Sequence, residues 1–233
     1  GNWSLGDYFK KDQLEWCLEF FVEELGLPKD KLWVSVFEGS KEVPKDEESI
    51  EIWESLGIPE ERIRAYGVDK NWWSRSGTPE AMPTGEIGGP DSEVFFDFGT
   101  PHNPKFGKVC HPNCDCGKFI EIGNSVFIQY QKNGDGSLSE LPQKNVDFGG
   151  GLERVAAAVN DNPDIFQIDI FKPIIAKIEE ETKNKYGEGE ETDRRFRIVA
   201  DHIRAAVAIA GEGVIPSNKH QGYILRRLIR RAA

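Results

Sequence analysis

A short run in the second half of the chain holds groups able to manage both a cation and a phosphate. Asn145-Val-Asp-Phe-Gly-Gly-Gly-Leu-Glu-Arg154 leads with the carboxylate of Asp147, passes through Gly149, Gly150 and Gly151, and ends on the guanidinium of Arg154. Glycines let a backbone come close to a ligand. A helix opening just after them offers free N–H groups to an anion. The run is not a P-loop, because no Gly-Lys-Ser/Thr follows, and no G-x-G-x-x-G can be laid over contiguous glycines. For the glycines alone, the plainer reading is a strand-to-helix turn chosen for tight packing. Two more groups precede the run. Glu121 supplies hard oxygens of the kind that share Mg²⁺ with phosphates, and an exposed strand glutamate is its plainer reading. Asn124 is a carboxamide inside an apolar strand, where a buried amide needs a partner.

A second cluster has a different chemistry. Cys110-His-Pro-Asn-Cys-Asp-Cys116 places three thiols and His111 within seven residues, with His102 upstream. Thiolates and imidazole suit tetrahedral Zn²⁺. Cys110, Cys114 and Cys116 are the first three expected ligands, and His102 or His111 the fourth. Adjacent residues such as Cys110 and His111 strain to reach one ion, which favours His102. Four protein ligands would leave no position for a substrate, so such an ion would be structural, pinning a long loop. Reduced surface thiols without a metal are the alternative.

Composition limits what these groups can belong to. With 233 residues and 38% of them apolar, the chain can bury a core in one large domain or two small ones. No run approaches the length of apolar sequence that spans a membrane, and no signal peptide is legible, so a cytoplasmic protein with no membrane partner is expected. The chain begins Gly-Asn rather than Met and stops inside a predicted helix, so a piece of a longer protein is expected. Net charge is −11, which argues against general nucleic-acid binding. The charge is uneven, however. Val214–Ala233 has no acid and carries Lys219, Arg226, Arg227, Arg230 and Arg231, a local site for a polyanion.

The elements that must hold these groups can be read from periodicity. Apolar residues at three- and four-residue spacing predict an amphipathic helix over 8–25, stopped by Gly26. Strands are predicted over 31–37, 62–69, 93–98, 118–131 and 138–147, with a helix over 47–56 and a turn at Asn133-Gly-Asp-Gly136. Residues 70–90 read as a long irregular loop, which Trp72 and Trp73 keep from reading as disorder. After the glycines the pattern turns helical, with helices predicted over 168–186, 194–210 and 220–233. The expected fold class is α+β. An antiparallel sheet flanked by helices over 1–165 is followed by the start of a helical region over 166–233.

Gly149-Gly-Gly-Leu-Glu-Arg154, opening an apolar helix, resembles motif 3 of the class II aminoacyl-tRNA synthetases. Taken with Leu5-Gly-Asp-Tyr-Phe9, Asn71-Trp-Trp73, Glu121-Ile-Gly-Asn-Ser-Val-Phe127, Val199-Ala-Asp-His-Ile-Arg204, Gly213-Val-Ile-Pro-Ser-Asn218 and Gly222-Tyr-Ile-Leu-Arg-Arg-Leu-Ile-Arg-Arg-Ala232, the whole chain resembles the catalytic region of the alanyl-tRNA synthetase family. The resemblance implies a class II catalytic domain followed by a helical tRNA-recognition domain. It implies activation of alanine with ATP and Mg²⁺, then transfer to tRNA-Ala. By position it implies alanine contacts at Trp73, Asn124, Asp147, Gly149 and Gly151, with Asp147 for the ammonium. It implies ATP contacts at Arg154 and at Glu121, the latter through Mg²⁺. It implies tRNA contacts at Asn218, which would read the acceptor stem, and at Arg226, Arg227, Arg230 and Arg231, whose i, i+4 spacing would make a basic face.

The sequence departs from the family pattern in three places. Motif 1 and the first strand of motif 2, with its α-phosphate arginine, fall outside this stretch, so normal activation is not expected from it alone. Many bacterial members carry Trp where this chain has Gly123, and Gly-Pro-Cys-Gly-Pro where it has Glu86-Ile-Gly-Gly-Pro90. A synthetase-like module that binds tRNA or alanine without activating it is the competing expectation. A free-standing editing protein fits less well, because the metal-binding His-x-x-x-His of that domain is absent.

Overall fold

The computed structural model describes all 233 residues, Gly1–Ala233. The chain forms two compact units, Gly1–Pro163 and Asp164–Ala233.

The first unit is built on a seven-stranded sheet: β1 (Asn2–Leu5), β2 (Leu32–Phe37), β3 (Ile63–Tyr66), β4 (Trp72–Ser74), β5 (Ile87–Asp97), β6 (Phe119–Lys132) and β7 (Leu138–Gly150). The strand order is β1-β7-β6-β5-β2-β3, and β4 adds to β5. All pairs are antiparallel except β2 with β3, which run parallel, so the expected antiparallel sheet carries one parallel pair at its edge. The helix between them explains this. α2 (Glu47–Ser55) carries the chain from the end of β2 back to the start of β3, and a crossover of that length joins parallel neighbours.

One face of the sheet is covered by α1 (Lys10–Glu19) and α2. Leu14, Cys17 and Leu18 of α1 and Trp53 of α2 pack with Val34, Val94, Phe96, Ile122, Phe127, Val146 and Phe148. Lys10 and Asp46 form a buried ion pair at 2.6 Å that ties α1 to the N-cap of α2, where Asp46 also accepts from the Ser49 N–H. The helix predicted over 8–25 divides. Its last turn, Phe20–Glu24, is a π-turn with the Leu25 N–H on the Phe20 carbonyl, and Gly26, at φ +69°, closes it. The wider turn places Phe21 in the core, 6.5 Å from Phe148.

Two more sequence expectations change. β5 begins at Ile87, inside the stretch read as irregular, and Trp72–Ser74 of that stretch pairs with Gly88–Pro90. Gly88 and Gly89 hid this strand from the pattern. A Cβ on Gly89 would overlap the Phe127 carbonyl, so the close approach of β6 requires glycine there. β7 continues through Gly149 and Gly150, so two of the three glycines belong to the ladder and only Gly151 caps α3 (Leu152–Val159).

The second unit consists of α4 (Lys172–Thr182), α5 (Glu190–Gly211) and α6 (His220–Ala232). α4 is shorter than the 168–186 expected, because Lys183 adopts the left-handed conformation at its end. α5 starts before Arg194, on Glu190, Glu191 and Asp193, acids that favour a helix N-terminus. No helix is long and apolar enough to cross a membrane.

Candidate functional site

Residues paired across strands share a face, as do residues i and i+2 within one. Asp147 pairs with Val126, which pairs with Asp91; one step along, Gly149 pairs with Asn124, which pairs with Glu93. These six positions therefore lie on one face, opposite the face packed by α1 and α2. Glu121 joins them because of a bulge. Val94 pairs with Gly123 but Phe95 pairs with Glu121, leaving Ile122 as the extra residue. The bulge turns Ile122 into the core, where it is fully buried, and brings Glu121 to the face of Asn124. Re-aiming a side chain is a common use of a bulge.

The groups on this face differ in how they are satisfied. Asp147 is half-buried, and none of the ion pairs or side-chain hydrogen bonds of the fold uses it. Above Gly149 the surface is open, for a Cβ there would meet nothing within 4 Å. Arg154, one turn into α3, reaches back to Glu121. Its Nη1 donates to Oε2 at 2.8 Å and to the Glu121 carbonyl at 3.3 Å. Glu121 and Arg154, both expected at ATP, are thus each other's partner in this structure. Asn124 keeps a buried Oδ1 with no hydrogen-bond donor. Gly123, one of the positions where the sequence departs from the family pattern, faces the core. A Cβ there would stand 3.0 Å from both the Phe21 and the Phe148 rings, so those two phenylalanines fill that space.

Asp91 and Glu93 were not anticipated. Asn71 Nδ2 donates to Asp91 Oδ1 at 2.9 Å and to Ser35 Oγ at 2.8 Å, and Ser35 Oγ donates to Glu93 Oε2 at 2.9 Å. Burial pushes Asp91 up to about 8 against the hydrogen bond from Asn71, and burial with the nearby Glu121 charge pushes Glu93 up to about 7. A legible signal existed: two acids at i, i+2 leading directly into the apolar run Val94–Phe96.

Acids whose folded values are raised stabilise the fold while protonated. Their contribution is complete below about pH 4, the range of an unfolded carboxylate, and is lost as pH rises through about 7 and about 8. The melting temperature is therefore expected to fall between about pH 4 and about pH 8, by roughly 5 °C or more, and to level off above that. Thermal melts across that window check this, and a level profile would mean the two acids are not desolvated as placed.

Trp73, on β4, pairs with Gly89 and is 41% exposed, whereas its neighbour Trp72 packs on Phe37, Met82 and Tyr130. It lies two residues beyond Asn71, which anchors this stretch of chain to Asp91.

The cysteine cluster closes around His102. The ligand atoms of His102, Cys110, Cys114 and Cys116 all lie within 4.8 Å of one another. Cys110 Sγ and Cys116 Sγ are 3.7 Å apart, and Cys114 Sγ is 3.8 Å from His102 Nδ1. The edge of a tetrahedron around zinc with bonds of about 2.3 Å is about 3.8 Å, so the donor set fits that ion. His102 Nε2 meets the Gly107 carbonyl at 2.9 Å, which leaves Nδ1 as the lone-pair nitrogen facing the thiols. His102 and backbone N–H groups outweigh burial and lower the Cys116 thiol to about 6. His111 is not part of the cluster; its Nδ1 meets the Tyr66 hydroxyl at 3.0 Å. Adjacency to Cys110 points its ring the other way. Cys17 is separate, buried in the core with its thiol pushed up to about 12.

In the second unit, Tyr223, Arg226, Arg227, Arg230 and Arg231 line one shallow groove along α6. The Asn218 carboxamide oxygen accepts from Arg226 Nη1. Gly222 is required by the turn that precedes this contact, since a Cβ there would overlap the Ile215 carbonyl and Ser217 Oγ.

Comparison with known proteins places this geometry in context. The family model for tRNA synthetases class II (A) matches residues 1–233. The chain is similar over its full length to the alanine–tRNA ligases of Treponema denticola, at 48% identity, of Borreliella afzelii, at 46%, and of Thermotoga maritima, at 46%. It spans 38% of the length of the first two and 26% of the third.

Proposed function

The chain belongs to the family of class II (A) tRNA synthetases, and we propose that it supplies the wall of an active site on which alanine reacts with ATP and is then transferred to tRNA-Ala. The observation that carries this reading is Asp147, a half-buried carboxylate that no protein side chain pairs, next to the open surface over Gly149. A half-buried acid without a partner calls for a cation, and the α-ammonium of an amino acid is one. The buried, unpartnered Oδ1 of Asn124 adds an acceptor beside it. Trp73 bounds the small side chain, and the backbone at Gly149 and Gly151 admits the amino acid and adenylate at close range.

The chemistry asked of this wall is positioning and charge stabilisation. One carboxylate oxygen of alanine attacks the α-phosphorus of ATP. The new P–O bond forms as the bond to the β-phosphate oxygen breaks, and pyrophosphate leaves. A ribose hydroxyl at the 3′ end of tRNA then attacks the alanyl carbonyl, and AMP departs with the electron pair of the broken bond. Arg154 offers its guanidinium to phosphate oxygens. Mg²⁺ carried with ATP would neutralise the phosphates, and Glu121 with the nearby Glu93 gives the paired hard oxygens that suit it. For tRNA, the groove of Arg226, Arg227, Arg230 and Arg231 would meet phosphates and Asn218 a base edge. The Cys110, Cys114, Cys116 and His102 cluster would hold a structural Zn²⁺.

Arg154→Ala is expected to raise the KM for ATP about tenfold, from loss of one charge-assisted contact, while the KM for alanine stays within about twofold. Pyrophosphate-exchange kinetics on the full-length gene product measure both. An unchanged KM for ATP would take Arg154 out of the ATP site.

A further inference from the structure

The loop that carries the cysteines leaves β5 at Asp97 and re-enters the sheet at Phe119, yet its tip is fastened to β3, two strands away in the order β5-β2-β3. The Tyr66 hydroxyl accepts from the Asn113 N–H at 3.5 Å and meets His111 Nδ1 at 3.0 Å. A hydroxyl has one proton to give, and with Asn113 donating to it that proton goes to His111. The Tyr66 and His111 rings lie 5.7 Å apart. Cys110 and Cys114 bracket this tip, so the cluster around His102 frames its two ends while Tyr66 grips its middle.

Strand register says where the tip has been brought. Arg64 pairs with Ser35, and Tyr66 with Phe37. Ser35 Oγ donates to Glu93, so Arg64 and Tyr66 share the face that bears Glu93 and Asn124. β2 meets β5 at Leu32 with Phe96 and at Val34 with Val94. Carried on, that register puts Phe37, and hence Tyr66, level with Asp91, about 20 Å back from where the loop leaves the sheet. The tip therefore lies along the flank of the substrate face rather than beyond its end. Asn113 stands beside Glu93, and its Nδ2 is buried without a hydrogen-bond acceptor. A buried donor left unpaired is costly. A phosphate oxygen, which accepts, would satisfy it.

Resting on the reading of Glu93 and Glu121 as the carboxylates beside ATP, we propose that Tyr66 is a positioning residue for the nucleotide, holding the tip of the cysteine loop so that the Asn113 amide donates to a phosphate oxygen. Tyr66 does not touch ATP. The cysteine cluster then serves the site as well as the loop, because Cys110 and Cys114 fix the ends of the same segment that Tyr66 holds.

Tyr66→Phe tests the idea, because it removes the hydroxyl and keeps the ring. In the full-length gene product the Kd for ATP, titrated at equilibrium with Mg²⁺ present, is expected to rise about three- to tenfold, the worth of about one hydrogen bond. Zinc content should match that of the unmutated protein, and the Kd for alanine should stay within about twofold. Asn113→Ala is expected to weaken ATP to a similar degree. In that background Tyr66→Phe is expected to add less than about twofold, because the residue it acts through is gone. An unmoved Kd for ATP, effects that multiply, or a Kd for alanine that rises in step with that for ATP would overturn the proposal. If melting shows that Tyr66→Phe does not fold, His111→Phe replaces it. That variant removes one of the same two contacts from the loop side, with an expected two- to fivefold rise in the Kd for ATP, about the worth of a single weak bond, that also vanishes in the Asn113→Ala background. No ATP binding and no alanine-dependent exchange by the unmutated full-length protein would overturn the functional reading and this inference with it. ATP binding that is present, but indifferent to Tyr66, overturns the inference alone.

Discussion

Asp147→Asn is expected to abolish alanine-dependent ATP–pyrophosphate exchange by the full-length gene product with little loss of fold. The change keeps the size of the side chain and removes only its charge. Removing one partner of a largely desolvated charge pair costs about 2–5 kcal/mol, which corresponds to roughly a thirtyfold to several-thousandfold loss in kcat/KM for alanine. The fold should tolerate the substitution, because no ion pair or side-chain hydrogen bond within the protein uses Asp147 and its backbone stays in the ladder opposite Val126. Circular dichroism and a melting curve establish the second half of the prediction, and exchange kinetics the first. Exchange at the level of the unmutated protein would remove Asp147 from the site. The measurement also separates the two readings of the chain. An unmutated protein that binds alanine or tRNA yet shows no exchange is a binding module rather than a ligase.

Loss of metal is the second large effect. Purified without chelators, the protein is expected to contain close to one equivalent of zinc, and metal below about a tenth of an equivalent would overturn the assignment. Cys114→Ser, or exhaustive chelation, is expected to release the ion and destabilise the first unit by about 3 kcal/mol, lowering the melting temperature by roughly 6–12 °C. The physical ground is that the loop from His102 to Cys116 contains only one short turn, Pro104–Phe106, of regular structure. Without a metal, contacts such as the thiol pair at 3.7 Å and the hydrogen bond from His102 to Gly107 must hold it. His111→Ala is the matched comparison, since its ring meets Tyr66 rather than the thiols, and its zinc content should match that of the unmutated protein. Retained zinc in Cys114→Ser, or lost zinc in His111→Ala, would redraw the ligand set.

Much of the fold was legible because local patterns and tertiary demands agree. The strand over Phe119–Lys132, the helix over Glu47–Ser55 and the basic helix over His220–Ala232 sit where the residue pattern put them. Failures came where a close approach set the residue type. Gly88 and Gly89 read as loop residues, yet the backbone of β6 lies so near Gly89 that a strand can pass there only as glycine. Gly149 and Gly150 also read as a turn, because contiguous glycines carry no alternation, yet they are ladder partners of Asn124 and Gly123.

By itself, the sequence determined which groups are present and which family pattern they follow: Asp147 before the glycines, Arg154 after them, Glu121 and Asn124 on one strand, three thiols with a choice of two histidines, and an arginine helix. Residue type and spacing along one chain suffice for that, because each motif is local. Which side chains face one another was decided only by tertiary structure. The bulge at Ile122 turns Glu121 onto the face of Asn124. Strand pairing brings Asp91 and Glu93 under it, and Asn71 fastens Asp91 in place from 20 residues away in the chain. His102 rather than His111 completes the thiol cluster. Register across strands and the direction of a ring depend on contacts between residues distant in sequence, and no local pattern encodes them.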